Sequence, residues 1–395
     1  MTRRGFVQAG LAAPMQAAKP GPPGEFDYVD WSWERWRSIT RERRPRVGGE
    51  QTGRPELLEL AAKDRASWNA RRESFRKVLD AFLGPAPSQR PPLRAEILEE
   101  RTGGGFTRRK LRYQSEAGEW VPAYLLIPEG LKDRAPAVLC PHQTTQAGKD
   151  SPAGLADLPE QHTAAHLARR GYVTFTWDAL CFGERHNRAT GHYGEAIPFY
   201  RRHPEWSLMG KMIWDMSRGI DFLETLEFVD AKRIGSVGHS HGGYTTLLGM
   251  ALDPRLAAGA SNCGFDTFRI DGNTWRWSRA TALLPRLGFY ISSRYLNMDT
   301  YRGVPDSEVI ATPFDMHQVL ALIAPRPVLL TTSDEDFVFP NGGWSARLAL
   351  QRLARLYEQL GAGERVSGYY FRGGHSFPEE ASSRAYAWLG RWLKA

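Results

Sequence analysis

The sequence predicts an α/β protein: a mostly parallel, twisted sheet with helices on both faces, plus a helical N-terminal extension. From about residue 135 onward, short apolar runs of strand type alternate with longer runs of helical periodicity. Just before them, three closely spaced β-rich runs are typical of antiparallel pairing. Residues 23–93 instead carry apolar positions at helical spacing between 55 and 83, and Gly84-Pro85 ends that rhythm.

The predicted elements follow in chain order. Strands are expected at 95–102, 106–114, 120–127, 137–140, 172–176, 233–237, 256–260, 328–332 and 366–371. Helices are expected at 161–170, 206–226, 244–252, 344–360 and 379–393. Together they form a domain over 94–395. Residues 264–315 break the alternation with Trp and Tyr among Arg and Asp, so we predict an aromatic-rich insertion over the carboxyl edge of the sheet, where such sheets bind ligands.

The N-terminus is similar to a twin-arginine export signal. Arg3-Arg4 is followed by Phe6-Val7 and a weakly apolar stretch, and Pro and Gly crowd the residues just before 25. We therefore expect 1–22 to be signal and linker and the protein to reach the periplasm or the outside. If this segment is only a basic tail, the protein stays in the cytoplasm.

Charge and cysteine content narrow the function classes. The net charge is +8, but no zinc-finger, RNA-binding or basic heptad motif accompanies it, so we expect a basic surface and no nucleic-acid partner. Cys140, Cys181 and Cys263 are far apart in apolar surroundings, which indicates buried thiols and no metal site. No apolar run is long enough for a membrane span.

The stretch Gly238-His239-Ser240-His241-Gly242 has the setting of a nucleophile elbow, because it joins an apolar strand to a helical run. A sharp turn there exposes the serine, and glycines on either side leave room for strand and helix to approach closely. Ser240 is therefore the candidate nucleophile. The amide of His241, at the helix N-terminus, is a candidate oxyanion donor.

The base and the acid are sought downstream, in the order Ser, acid, His. His375 follows a predicted strand and a Gly-Gly pair, which favours it as general base. Asp334, Glu335 and Asp336 follow another strand; loop reach favours Asp336, with Asp334 and then Glu335 as alternatives. The side chains of His239 and His241 lie too close to the serine along the chain to act comfortably as its base.

These motifs resemble the α/β-hydrolase superfamily, in the branch of dienelactone hydrolases, acetyl xylan esterases and prolyl oligopeptidases. Bacterial hydrolases related to acetyl xylan esterases are the nearest likeness. Further shared motifs are Cys140-Pro-His142-Gln143, the 177–185 segment, 229–234 and 324–327. The resemblance covers about 95–395 and implies the α/β-hydrolase fold, a carboxylic ester or related acyl substrate, and neither metal nor organic cofactor.

The chain departs from the group where a His-Gly pair is common, because it has His142-Gln143. The first oxyanion donor is therefore left open between the amides of Gln143 and Thr144. We expect His142 to shape this loop. For Asp178, Glu184 and Arg185 two roles stay open, an ion-pair network at the floor of the site or contact with substrate.

The sequence thus predicts a serine carboxylesterase that acts through an acyl-enzyme, with a small-molecule or carbohydrate ester as substrate. Acetyl or other sugar esters fit the resemblance and the aromatic insertion. Two rivals remain. A prolyl oligopeptidase-like peptidase needs a propeller domain, for which the extension is too short, and a non-catalytic binding protein has no need of an intact Ser, Asp and His.

Overall fold

The computed structural model describes residues 59–156, 158–186, 195–267, 283–284 and 315–394. The predicted export signal and most of the predicted aromatic insertion lie outside these residues and remain predictions. Within the described residues, no helix is both long and apolar enough to cross a membrane.

One nine-stranded sheet organises the described chain, in the order β1-β2-β3-β5-β4-β6-β7-β8-β9. The strands β1 to β3 pair antiparallel, as does β3 with β5, whereas all pairs from β5 to β9 are parallel. The predicted mostly parallel α/β sheet is therefore confirmed. The strands are β1 Glu96–Gly103, β2 Phe106–Glu116, β3 Glu119–Pro128, β4 Ala135–Leu139, β5 Val173–Trp177, β6 Val229–His239, β7 Leu256–Asn262, β8 Val328–Ser333 and β9 Val366–Phe371.

Six helices of the described residues correspond to predicted helical segments, whereas Ala196–Arg202 and Met316–Ile323 were not predicted. The Asp64 side chain accepts the amide of Ser67, so the helix of the extension within the described residues begins at Arg65. Ser207 caps the fourth helix in the same way. The helices are α1 Arg65–Leu83, α2 Thr163–Ala168, α3 Ala196–Arg202, α4 Leu208–Glu224, α5 His241–Leu252, α6 Met316–Ile323, α7 Gly342–Gln359 and α8 Glu379–Leu393.

Helices cover both faces of the sheet. On one face, α1, α4, α5, α6 and α7 bury their apolar sides in a single large core, and on the other α2 and α8 pack in a smaller one. Trp68, Leu79 and Phe82 of α1 belong to the large core, so this helix of the extension packs directly on the sheet domain. Strands buried on both sides explain the continuous apolar runs read from the sequence.

The parallel strands end at one edge of the sheet. The segments that follow β4, β5, β6, β7, β8 and β9 therefore meet there, although they are far apart along the chain. This edge brings together Ser240, Asp336 and His375.

Candidate active site

Ser240 sits on a sharp turn between β6 and α5. Its backbone has φ 54° and ψ −118°, a left-handed conformation that is strained for a residue with a side chain. A Cβ on Gly238 would lie 2.3 Å from the backbone of Gly242, and one on Gly242 would lie 2.1 Å from the Pro141 carbonyl oxygen. The Ser240 amide donates to the Asn262 carbonyl at 2.8 Å, which fixes the turn to β7. The glycines thus allow the close contact that presents the hydroxyl.

A hydrogen-bonded chain links Ser240, His375 and Asp336. The Ser240 Oγ lies 2.8 Å from His375 Nε2, and His375 Nδ1 lies 2.7 Å from an Asp336 carboxylate oxygen. His375 reaches the serine because Gly373 and Gly374 adopt φ 131° and 71°, which turns the loop after β9 back over the sheet edge. Such an arrangement can take a proton from the serine and stabilise the resulting imidazolium.

The environment of Asp336 keeps its carboxylate ionised. Burial opposes the charge, but hydrogen bonds from His375 and from the amides of Phe339 and Val338 hold the pKa of Asp336 below its usual range. One oxygen therefore accepts two backbone amides while the other faces His375. The carboxylate is fixed in position as well as in charge.

The two alternative acids point elsewhere. Asp334 forms a bidentate ion pair with Arg347 of α7, with N···O distances of 2.7 and 2.8 Å, and both side chains are partly exposed to solvent. Glu335 lies on the surface, 3.7 Å from Arg372. Of the three carboxylates that follow β8, the structure brings Asp336 to His375.

The loop after β4 lies against the start of α5. The ring of His142 accepts the Ala179 amide at Nε2, at 3.1 Å, so its proton is on Nδ1 and is donated to the Gln143 carbonyl at 2.7 Å. The pKa of His142 is lowered by burial. With this carbonyl turned toward His142, the Thr144 N–H lies on the opposite side of the trans peptide. The His241 amide, as the first of α5, has no acceptor within the helix.

The two histidines that flank the serine are both buried and neutral. Burial lowers the pKa of each to about 3. The ring of His241 packs between His142 and Phe182, with centroids 5.9 and 5.3 Å away. The ring centroid of His239 lies 4.7 Å from that of His375, with the two ring planes tilted by 44°. Neither side chain is bonded to Ser240, which agrees with the supporting roles expected of them.

An ion-pair network joins the segments that follow β4 and β5. Asp178 accepts the amide and ammonium groups of Lys149 at 2.8 and 2.9 Å, and Lys149 also reaches Glu184 at 2.6 Å. Burial disfavours the cation, yet these carboxylates raise the pKa of Lys149 above its usual range. Asp178 is fully buried, so it holds the segments after β4 and β5 together and does not face solvent.

Arg185 belongs to a neighbouring cluster. Its guanidinium donates to Asp215 at 2.7 Å, to Glu119 at 2.8 Å and to the backbone carbonyl of Asp178. Two roles were left open for Asp178, Glu184 and Arg185, and these contacts correspond to the ion-pair network. Lys149 and Asp215 were missed by sequence reasoning, since neither stands in a recognisable motif with its partners.

One group of metal-ligand atoms occurs within the described residues, and it overlaps the Ser-His-Asp chain. The Cys263 thiol, the Asp336 carboxylate and a His375 nitrogen place one atom each within 4.8 Å of one another. Asp336 and His375 already face each other, and burial raises the pKa of the Cys263 thiol well above its usual range. A protonated thiol is a poor metal ligand, so the group fits a proton relay better than a metal centre.

The fold and this site define an α/β hydrolase that acts as a serine esterase. The chain belongs to the glucuronyl esterase family. A family profile described as "Glucuronyl esterase, fungi" matches residues 159–361, just over half of the 395 residues. The matched segment spans the region from α2 to α7 and includes both Ser240 and Asp336.

The chain is also similar to individual proteins. The chain is 26% identical over 330 residues to the putative hydrolase YtaP of Bacillus subtilis, covering 82% of this chain and 100% of that protein. It is 24% identical over 243 residues to a 4-O-methyl-glucuronoyl methylesterase of Phanerochaete carnosa, covering 56% of this chain and about half (55%) of that protein.

Among solved structures, a glucuronoyl esterase from Teredinibacter turnerae superposes with a TM-score of 0.63 at 18% identity, covering 92% of this chain and 99% of that one. At this identity the superposition shows a shared fold. The α/β-hydrolase fold expected from the sequence is confirmed.

Proposed function

We propose that the chain hydrolyses an ester of a sugar acid, of the glucuronate alkyl ester class, with Ser240 as nucleophile, His375 as general base and Asp336 as the orienting acid. The observation that carries the proposal is the continuous Ser240–His375–Asp336 hydrogen-bonded chain. It occurs in a chain that belongs to the glucuronyl esterase family. Relatives named as 4-O-methyl-glucuronoyl methylesterases support the class of substrate.

The proposed reaction has two halves. Ser240 Oγ attacks the ester carbonyl while His375 Nε2 takes its proton, and the imidazolium returns that proton to the departing alcohol. Water, deprotonated by His375, then attacks the acyl-enzyme and releases the free sugar acid and the serine. Asp336 stabilises the imidazolium in both halves without itself becoming protonated.

The negative charge that develops on the carbonyl oxygen needs N–H donors. We assign the second donor to the amide of His241, where the N-terminus of α5 also favours negative charge. For the first donor the orientation imposed by His142 favours Thr144 over Gln143, because the Gln143 carbonyl is held inward and the next N–H faces away from it.

The rim of the site offers a surface for a sugar ring. Phe337 is 55% exposed, and its ring lies edge-on to His375 with centroids 6.1 Å apart. A flat apolar ring beside the reacting group suits the apolar face of a pyranose.

A substrate panel tests the proposal. The purified protein is assayed on a methyl ester of glucuronate, on acetylated xylan, on p-nitrophenyl acetate and on a prolyl peptide anilide. We expect kcat/KM on the glucuronate ester to exceed that on the acetyl esters by at least about tenfold. Preference for acetyl esters would contradict the substrate class, cleavage of the anilide would favour a peptidase, and turnover of none would favour a binding protein.

We also propose that the protein is exported. The paired arginines of the N-terminus and the weakly apolar stretch that follows them support this. Mass spectrometry of the protein from periplasmic and cytoplasmic fractions tests it. A shortened N-terminus in the periplasm is expected, and a full-length protein confined to the cytoplasm would contradict it.

A further inference from the structure

Asn262 is a buried polar residue at the carboxyl end of β7, next to the nucleophile strand. It is fully buried, and its backbone carbonyl accepts the amide of Ser240 at 2.8 Å. In the sheet register it lies opposite His239. Backbone contacts alone therefore fix the position of Asn262 relative to Ser240.

The side-chain amide of Asn262 forms three hydrogen bonds, which use both of its N–H groups and its oxygen. Its oxygen accepts the Thr331 hydroxyl at 2.7 Å. Its nitrogen donates to the Ser376 carbonyl at 2.8 Å and to His239 Nδ1 at 2.7 Å. An amide has one acceptor and two donor hydrogens, so all three bonds are compatible with one orientation only.

The bond to Ser376 is important because Ser376 follows the general base directly. The loop that carries His375 contains two glycines in left-handed conformations and no regular structure. Within the described residues, the sheet holds the backbone at Ser376 through Asn262, joined by a weaker contact from the Cys263 sulfur at 3.8 Å. The distance from His375 to the serine therefore depends on this amide.

The bond to His239 supports the base from behind. Because the amide nitrogen donates to Nδ1, the proton of the neutral His239 ring is on Nε2. This ring lies 4.7 Å from that of His375 at a tilt of 44°, and it makes a stacked contact with Phe377, with an interplanar angle of 11°. His239 is thereby held as a rigid neighbour that limits the rotation of His375.

We propose that Asn262 is a positioning residue of the esterase: its side chain couples the loop of His375 to the strand end that carries Ser240 and so sets the distance between base and nucleophile. It touches neither substrate nor reacting atoms. This inference rests on the proposed function of Ser240 and His375.

The test compares Asn262→Ala and the isosteric Asn262→Asp with wild type. Asp keeps an acceptor for Thr331 but cannot donate to both Ser376 and His239. Thr331→Val removes only the bond that orients the amide.

Ser236→Ala is the matched control, because it removes a buried hydrogen bond between β6 and α5, to Thr246, away from the site. Rates are measured per active site with a glucuronate ester and, separately, with a fluorophosphonate probe.

We expect Asn262→Ala and Asn262→Asp to lower kcat by about 10- to 100-fold, as for a misplaced catalytic group, with KM changed less than about threefold. The rate of fluorophosphonate labelling should fall by the same factor. Thr331→Val should lie between these variants and wild type, and Ser236→Ala should keep both rates.

Unchanged rates in folded Asn262 variants, with only a lower melting temperature, would overturn the inference, because a merely structural residue acts in that way. If Asn262→Ala fails to fold, the isosteric Asp variant decides. The two proposals fail separately. A wild-type protein that does not label disproves the role of Ser240, whereas equal labelling of wild type and Asn262 variants disproves only the positioning role.

Discussion

The Asp336 carboxylate lies 2.7 Å from His375 Nδ1, whereas Asp334, two residues earlier, is held by Arg347 on the surface. The two carboxylates are close along the chain, but they differ in burial and in their hydrogen-bond partners. The roles proposed for the site depend on this difference, and it can be tested directly.

Asp336→Asn should lower kcat by about 10³- to 10⁴-fold with little change in KM, because an amide favours the wrong tautomer of His375. Asp334→Asn, the matched control, removes a partly exposed ion pair and should cost less than about tenfold. Steady-state kinetics of the two variants on one ester check this. If Asp334→Asn is the more damaging change, the assignment of the acid is wrong.

Gly238→Ala should abolish activity or prevent folding. Its Cβ would lie 2.3 Å from the Gly242 backbone, and neither β6 nor α5 can move without displacing Ser240. Gly390→Ala is the control, since it adds a methyl group within α8 at a position where the nearest atom, the Tyr172 hydroxyl oxygen, is 3.7 Å away. That variant should gain up to about 1 kcal/mol of unfolding free energy. Similar behaviour of both variants in activity and denaturant unfolding would contradict the close packing at the elbow.

Lys149→Met should lower the free energy of unfolding by about 3–5 kcal/mol, because it leaves Asp178 buried without its cation. The side chains of Lys149 and Asp178 are 2% and 0% exposed in this pair. Arg347→Gln, in an exposed pair, should change stability by less than about 1 kcal/mol. Urea unfolding at neutral pH gives both values. Equal losses in the two variants would show that Lys149 and Asp178 do not form a buried ion pair.

The buried histidines predict sensitivity to mild acid. Burial, with His142 nearby, lowers the pKa of His241 from 6.5 to about 3. As the pH falls, His241 is protonated in the unfolded chain before it is protonated in the folded protein. Its contribution to the free energy of unfolding is therefore fully present above pH 6.5 and is lost as the pH falls from there toward 3. His241→Gln removes this proton site. Between pH 7 and pH 5 wild type should lose about 2 kcal/mol more unfolding free energy than the variant. Parallel pH profiles would contradict a neutral, buried His241.

Much of the fold could be predicted because strand and helix periodicities differ clearly in this chain. The segments that follow the strands also gave Ser240 and His375 as candidates, since parallel strands end at one edge. Loop reach already favoured Asp336 over Asp334, but the ion pair that holds Asp334 could not be predicted, because its partner Arg347 belongs to another element. The partners of Lys149 lie 29 and 35 residues away without a motif, so their pairing depends on tertiary packing.

Asn262 was missed for a related reason. A polar residue at the carboxyl end of a buried strand is a usable signal, because that edge of the sheet carries the site. Its partners, however, come from three other segments, those of His239, Thr331 and Ser376. The sequence has no periodicity that would bring these together.

Activation of Ser240 by His375 is the central step of the proposed reaction, and covalent labelling tests it most directly. Wild type, Ser240→Ala and His375→Ala are treated with a fluorophosphonate probe and digested, and the labelled peptide is identified by mass spectrometry. We expect one adduct, on Ser240, in wild type, none in Ser240→Ala, and labelling slowed by about 10³-fold or more in His375→Ala. An adduct on another residue, or equal labelling of His375→Ala and wild type, would contradict the activation of Ser240 by His375.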